Sequence, residues 1–250
     1  MEIPASKKRI KLVVSYDGTA FHGFQVQPGK RTVQGELEKA LSELFGTETA
    51  VVGCSRTDAG VHAVRFVLHA DVPASFPTDR LHFALNTMLP PDVSALGCSD
   101  ADENFHARFS CLGKTYRYVI HNSPVRSPFF ENRAWFLPGE LDTGKMADAA
   151  GEIVGKHDFA AFMAQGSSVS CTVRTVSECR VERGDGGIIS LYVTADGFLY
   201  NMVRIIAGTI AEAGKNKLCG SVSDIIGSRD RTRAGMTAPP CGLYLWDVKY

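Results

Sequence analysis

The sequence predicts an α+β protein built from two related split-βαβ (ferredoxin-like) units with mostly antiparallel sheets. Three observations predict this class. Apolar residues recur at strand and helix spacing in the order β-α-β-β-α-β over the first hundred residues. Strands and helices then alternate again at similar intervals in the second half. The chain has 250 residues, of which 44% are apolar, and this is enough for two hydrophobic cores.

The first unit is predicted to span residues 1–104. It begins with a buried strand at 10–16, and Thr32 is the expected N-cap of a helix that Gly46 ends. The predicted elements after the first strand are a helix at 33–45, strands at 49–53 and 63–72, a helix near 78–88 and a strand near 93–98.

The second unit is predicted to span residues 105–250, with 105–110 as its linker. The glycines in Gly184-Asp185-Gly186-Gly187 predict a hairpin turn between two strands. The predicted strands are 113–121, 133–137, 173–183, 188–196 and 243–249, and the predicted helices are 142–154, 199–214 and 221–227.

Composition excludes several classes of protein. No apolar run reaches the length of a membrane span, so no membrane association is expected. The seven cysteines are odd in number and include no C-x-x-C pair, which argues against a disulfide framework or a zinc site and fits a reducing cytoplasm. Lys plus Arg and Asp plus Glu both number 27, so nucleic acid could bind only if the cations cluster on one face.

The central stretch of the chain is the loop in 53–63, between two predicted strands. It carries Arg56, Asp58 and His62 within seven positions, beside small residues that let another molecule approach the backbone. A plain hairpin turn would also explain its Thr-Asp-Ala-Gly segment. His62 is interpreted as a hydrogen-bonded structural residue.

Arg204 lies on a predicted helix that is otherwise almost entirely apolar. No acidic residue lies three or four positions away from it, so any acidic partner must come from elsewhere in the chain. Two partners stay open on this reasoning. Asp196 would make a structural ion pair, and Asp58 would make a functional one across a cleft between the two units.

Three further features have competing interpretations. Tyr116, in Lys114-Thr115-Tyr116, could pack into the core or stack on an extruded base. Arg56 could be a surface arginine, or could contact phosphate or fill the gap left by a flipped base. His157-Asp158 could form a charge relay, although no serine or cysteine nucleophile is marked.

The string Arg-Thr-Asp-Ala-Gly-Val-His-Ala at 56–63 resembles the active-site motif of the tRNA pseudouridine synthase A family. The resemblance extends over nearly the whole chain. Further matching stretches are 16–18, 32–35, 85–90, 107–110, 114–116, 133–135, 195–204, 233–239 and 242–245.

The resemblance implies an isomerase that converts uridine to pseudouridine in the tRNA anticodon arm, at positions 38, 39 and 40. It implies that Asp58 is the nucleophile, that Arg204 pairs with it in a central catalytic cleft, and that Tyr116 packs against the target uracil. It also implies no metal and no cofactor, and a homodimer that holds tRNA across both subunits.

The chain departs from the family pattern in two places. Ser55 stands where glycine commonly precedes the motif arginine, and Val64-Arg65-Phe66 stands where the pattern runs through Gly-Gln. Two rival functions stay open. One is a non-catalytic RNA-binding protein on the same scaffold, and the other is a hydrolase of small nucleotides or esters.

Overall fold

The computed structural model describes residues 6–166 and 169–250, and these residues form two compact units. Unit 1 comprises the described residues up to Leu112 together with Leu245–Tyr250, and unit 2 comprises Gly113–Tyr244. None of the helices in the described ranges is long and apolar enough to span a membrane.

Unit 1 has the predicted β-α-β-β-α-β order. Its elements are β1 (Lys7–Tyr16), α1 (Val33–Phe45), β2 (Val51–Gly53), β3 (His62–Pro73), α2 (Thr78–Asn86) and β4 (Val93–Asp100). The strands lie in the order β4-β1-β3-β2, and each neighbouring pair is antiparallel. Because β3 lies between β1 and β2, these strands and α1 form a split βαβ motif, as predicted.

The sequence forms these elements for local reasons. In β1 every second residue from Ile10 to Tyr16 is buried, which is the alternation expected of a strand with one face on the core. Thr32 caps α1, since its hydroxyl accepts the Gly35 N–H at 3.3 Å. Gly46 ends the helix with a φ of 66°, a conformation that glycine adopts without steric cost.

The segment predicted to be a linker belongs to unit 1. The backbone N–H of Ala107 donates to Nδ1 of the buried His69 at 3.1 Å, and the Tyr250 hydroxyl donates to the Ala107 carbonyl at 2.6 Å. The Leu112 N–H donates to the Lys249 carbonyl at 2.9 Å. These bonds hold 105–112 and the last residues in unit 1, so the division falls after residue 112, whereas the predicted one falls after 104.

Unit 2 contains a second split βαβ motif. Its elements are β5 (Gly113–Asn122), β6 (Trp135–Leu137), α3 (Thr143–Gly151), β7 (Gly155–Asp158), β8 (Val173–Arg183), β9 (Ile188–Ala195), α4 (Met202–Gly214) and α5 (Val222–Ser228). The strand order is β5-β9-β8-β7, and β6 pairs in parallel with β5. Strand β9 is antiparallel to both β5 and β8, so it separates two parallel strands, and α3 lies between these two strands in the sequence.

The last strand, β10 (Leu243–Lys249), starts in unit 2 and continues into unit 1, where it pairs with β3. The predicted hairpin turn at 184–187 is present, with the Gly184 N–H donating to the Ile188 carbonyl at 2.8 Å. Strand β7 is absent from the predicted elements. The predicted start of α4 at 199 is three residues early, because Asn201 has a left-handed backbone (φ 58°) and the helix begins after it.

Candidate active site

The loop from Cys54 to Val61 joins β2 to β3 in unit 1 and carries Asp58. The buried hydroxyls of Tyr16 and Thr57 are hydrogen-bonded at 2.8 Å, which fixes the residue before Asp58. The Val61 N–H donates to the Asp58 carbonyl at 3.2 Å, and Gly60 has a φ of 76°. The segment is thus a tight turn, the local structure that was also considered for its Thr-Asp-Ala-Gly sequence. It leaves the Asp58 side chain half-buried.

The chain after β1 packs against this loop at backbone distance. The Phe24 N–H donates to the Thr57 carbonyl at 3.1 Å. A Cβ atom on Gly18 would lie 2.0 Å from the Val61 carbonyl oxygen, and one on Gly23 would lie 2.6 Å from the Thr57 oxygen. No side chain fits at either position, so the two glycines let the segment 17–24 hold both ends of the Asp58 turn.

His62 also links the segment 17–24 to the loop that carries Asp58. Its side chain is 2% exposed, and its Nδ1 accepts the Gly18 N–H at 3.0 Å and lies 3.2 Å from Oδ1 of Asp17. The hydrogen bond from the backbone agrees with the structural role predicted for His62. Arg56 lies on the same loop and is exposed, so its guanidinium can reach an anionic group such as a phosphate.

In unit 2, Arg204 is one of two half-buried residues of α4, whose other residues are all buried. Its Nε donates to the Ala238 carbonyl at 2.7 Å, and a terminal nitrogen donates to Oδ1 of Asn201 at 2.7 Å. The Asn201 side chain thus binds Arg204 rather than capping the helix. Two neutral acceptors therefore set the direction of the guanidinium.

The segment that supplies Ala238 packs unusually close to α4. A Cβ on Gly208 would lie 1.9 Å from the Met236 carbonyl oxygen, and a Cβ on Gly235 would lie 2.6 Å from the Thr209 backbone nitrogen. The Thr209 hydroxyl accepts the Gly235 N–H at 2.9 Å. Glycine on each side thus brings the backbone of 235–238 against the helix, where Ala238 meets Arg204.

The structural partner considered for Arg204 is engaged elsewhere. Oδ1 of Asp196 accepts the backbone N–H of Thr175 at 3.0 Å, and the Asp196 N–H donates to the Thr175 carbonyl at 3.1 Å. Asp196 therefore joins the start of β8 to the end of β9. This role accounts for its position without an ion pair to Arg204.

Tyr116 and Tyr118 lie on one face of β5 but have different surroundings. Tyr116 is 7% exposed, and its ring stands nearly perpendicular to the Phe198 ring, with centroids 5.0 Å apart. Tyr118 is fully buried and donates to the Pro239 carbonyl at 2.8 Å, and burial raises the pKa of its phenol, which stays neutral. Tyr116 is thus the more accessible of the two rings.

The structure places Arg56 and Asp58 on one loop of unit 1, and Tyr116 and Arg204 in unit 2. Sequence reasoning missed the residues that orient them, namely Gly18, Gly23, Asn201, Gly208 and Ala238. Gly18, Asn201 and Ala238 lie in stretches that match the family, 16–18, 195–204 and 233–239, but neither a match nor a glycine says which group a residue contacts.

His157 and Asp158 do not form a relay with each other. Nε2 of His157 lies 3.1 Å from the Val154 carbonyl, whereas Asp158 accepts the Thr172 hydroxyl and lies 3.0 Å from Nε of Arg229. The hydrogen bond from Thr172 lowers the pKa of Asp158, so it is ionised in this pair. Within the described ranges, no group of three or more His, Cys, Asp or Glu residues is arranged to hold a metal ion.

Comparison with known proteins identifies the family. A family model described as tRNA pseudouridine synthase matches residues 12–110 and 149–250. The chain is 46% identical to tRNA pseudouridine synthase A of Ruminiclostridium cellulolyticum over 97% of this chain and 100% of the relative. It is 45% identical to the Bacillus subtilis protein of that name, over 97% of this chain and 99% of the relative.

A third relative, tRNA pseudouridine synthase A of a Thermoanaerobacter species, is 42% identical over 97% of this chain and its own entire length. The matches include both the Asp58 loop and the helix that carries Arg204. The chain therefore belongs to the tRNA pseudouridine synthase A family, whose members are isomerases that convert uridine to pseudouridine.

Proposed function

We propose that this protein isomerises uridine to pseudouridine in the anticodon arm of tRNA, at positions 38, 39 and 40. The reaction breaks the N1–C1′ bond, turns the uracil and joins its C5 to C1′. It is redox-neutral and needs no phosphoryl donor. Family membership supports the reaction, and the sequence resemblance supports the anticodon positions.

Asp58 is the proposed nucleophile, and its placement is the observation that carries the proposal. Its half-buried side chain belongs to a turn that is held on both sides. Thr57 is bonded to Tyr16 and to the Phe24 N–H before it, and the Gly60 N–H donates to the Phe21 carbonyl after it. A catalytic carboxylate must be accessible to substrate and fixed in direction. A plain surface turn would not need backbone contacts as close as those at Gly18 and Gly23.

Arg204 is proposed to pair with Asp58 and to keep it ionised. The bonds to Asn201 and Ala238 orient the guanidinium in advance, which lowers the entropy cost of a bidentate contact with a carboxylate. A cation beside a carboxylate lowers its pKa, so the nucleophile would be charged at neutral pH.

Tyr116 is proposed to pack against the target uracil, and Arg56 to contact the backbone or take the place of the flipped base. The Phe198 ring stands nearly perpendicular to Tyr116, which restricts the orientation of the tyrosine ring. Arg56 is exposed two residues before Asp58, so it would meet RNA beside the reacting nucleotide.

The proposal includes a cytoplasmic homodimer that binds tRNA across both subunits. Sedimentation equilibrium with and without tRNA tests the stoichiometry, and a monomer that stays active would contradict the dimeric site.

The deciding experiment uses tRNA transcribed without modification, incubated with the protein alone and then mapped for pseudouridine. Asp58→Asn should reduce pseudouridine formation to background and leave tRNA binding intact, because the shape of the side chain is kept. Asp185→Asn, in the exposed hairpin turn of unit 2, is the matched control and should be fully active. Binding without turnover by the unaltered protein would instead favour the RNA-binding rival.

A second comparison tests the proposed pair. Arg204→Met should remove most activity, and Asp58→Asn combined with Arg204→Met should be no less active than either single change, since groups that act as a unit are non-additive. If the factor by which the double variant loses activity equals the product of the two single-variant factors, the two residues act separately.

A further inference from the structure

Unit 2 contains a cavity that no proposed catalytic residue lines. It has a volume of about 240 Å³ and lies between the end of β5 and the turn before β6. Its walls include His121, Arg126, Phe130, Asn132 and Trp135. Pockets for drug-sized ligands run to about 300–1,000 Å³, so this cavity suits a ligand of about one nucleoside.

His121 is the group that suggests a ligand. Its side chain is 5% exposed, and its ring contacts Phe130 and Phe136 at centroid distances of 4.8 and 5.9 Å. No residue in the described ranges donates to or accepts from its ring nitrogens. No nitrogen of His121 is among the fully enclosed polar atoms that lack a partner, so its imidazole is reached from the cavity and can hydrogen-bond a ligand there.

The turn that forms the outer wall is held in shape. The Ser127 hydroxyl accepts the Phe129 N–H at 3.3 Å, the Phe130 carbonyl accepts the N–H groups of Arg133 and Ala134, and Asn132 has a φ of 57°. This turn presents the exposed Arg126 at the cavity. A preformed wall of this kind lowers the entropy cost of binding.

The cavity is separate from the position proposed for the target uracil. The pairing of β5 with β9 is regular from Lys114 to His121, so Tyr116 and His121 point to opposite faces of the strand. Five residues of strand also place them roughly 17 Å apart. A group bound at His121 is therefore not the reacting base.

We propose that this cavity binds a second, non-reacting nucleotide of the tRNA substrate, with its base in the aromatic cavity and its phosphate at Arg126. Unstacked bases of RNA are commonly held on aromatic rings and read through their polar edges, as Phe130, Trp135, His121 and Asn132 allow. An exposed guanidinium suits the phosphate. This inference rests on the proposed tRNA substrate.

Tryptophan fluorescence gives a direct test. The chain has two tryptophans, so the Trp246→Phe variant leaves Trp135, in the cavity wall, as the only reporter. Unmodified tRNA should quench Trp135 at concentrations near its Kd, whereas uridine and adenosine 5′-monophosphates should require far higher concentrations. Tighter quenching by the free nucleotides would overturn the tRNA assignment. Quenching that depends only on protein concentration would show that a second copy covers the cavity.

Steady-state kinetics give the second test. His121→Phe keeps the ring and removes its nitrogens, and Arg126→Ala removes the exposed cation; each should raise KM for tRNA about tenfold with kcat unchanged. Arg80→Ala, an exposed arginine of α2 outside the cavity, is the matched control and should leave KM unchanged. If His121→Phe does not fold, Arg126→Ala and the fluorescence of Trp135 decide the question.

The two proposals fail in different ways. Pseudouridine formation with no quenching and no change in KM would overturn the cavity proposal and leave the proposed function intact. Absence of pseudouridine from the unaltered protein would refute the proposed function, even where tRNA still quenches Trp135.

Discussion

Replacing Gly208 by alanine should both destabilise unit 2 and disturb Arg204. The added Cβ would lie 1.9 Å from the Met236 carbonyl oxygen, which is backbone and cannot rotate away. The segment 235–238 must therefore move away from α4. Because Ala238 in that segment accepts the bond from Nε of Arg204 at 2.7 Å, the guanidinium should lose one of the acceptors that orient it.

The change in the free energy of unfolding of Gly208→Ala is the difference between two opposing effects. Overpacking a well-packed site costs about 1–3 kcal/mol, and displacement of backbone places this site at the upper end. Alanine favours a helix over glycine by about 1 kcal/mol. The free energy of unfolding of Gly208→Ala should therefore fall by about 2 kcal/mol.

Gly227→Ala is the matched control. Gly227 lies in α5 and is exposed, and a Cβ there would have no atom within 4 Å, so only the helix propensity should change. This variant should gain up to about 1 kcal/mol. Urea unfolding of both variants and their kcat for pseudouridine formation measure the effect. Equal stability of the two variants, or a fully active Gly208→Ala, would refute the reasoning.

Three further outcomes follow from the structure. Burial lowers the pKa of His69 from 6.5 to about 4, so the unfolded chain takes up the proton at a higher pH than the folded protein. The free energy of unfolding, measured by urea titration at several pH values, should therefore fall as the pH drops from 6.5 to 4, and His69→Asn should flatten that dependence. Asn201→Gly should lower kcat but retain stability, since glycine accepts the left-handed backbone. Asn201→Ala should lower kcat as well and should also reduce the free energy of unfolding by about 1–2 kcal/mol, as measured by thermal unfolding. Affinity for tRNA should drop steeply with salt in filter binding, because a neutral chain must bind phosphates through clustered cations; salt-independent binding would contradict this.

The sequence predicted those parts of the fold whose signals are local. Alternating burial marked β1, and Thr32 and Gly46 marked the ends of α1, so the β-α-β-β-α-β order was correct. Strand β7 was missed because Gly155-Lys156-His157-Asp158 has no apolar alternation and becomes a strand only by pairing with β8. Its extended backbone is a consequence of tertiary structure.

The same division holds for the candidate site. The residue types of the Asp58 loop, and the apolar surroundings of Arg204, could be identified from the sequence alone. The acceptors that orient Arg204 could not, since Ala238 contributes only a backbone carbonyl and Asn201 acts through an unusual backbone conformation. The boundary between units was misplaced because the bonds that hold 105–112 come from the opposite end of the chain.

Because residues from the opposite end of the chain complete unit 1, this unit is finished late in synthesis. The segment Leu245–Tyr250, which completes unit 1, leaves the ribosome about 130 residues after Leu112. At about 5–20 residues per second this is a delay of roughly 7 to 27 s. During this time β3 lacks the strand β10, so the part of its edge that β2 does not pair is open to association with other chains. The contiguous unit 2 is complete earlier, so the unit that begins first is finished last.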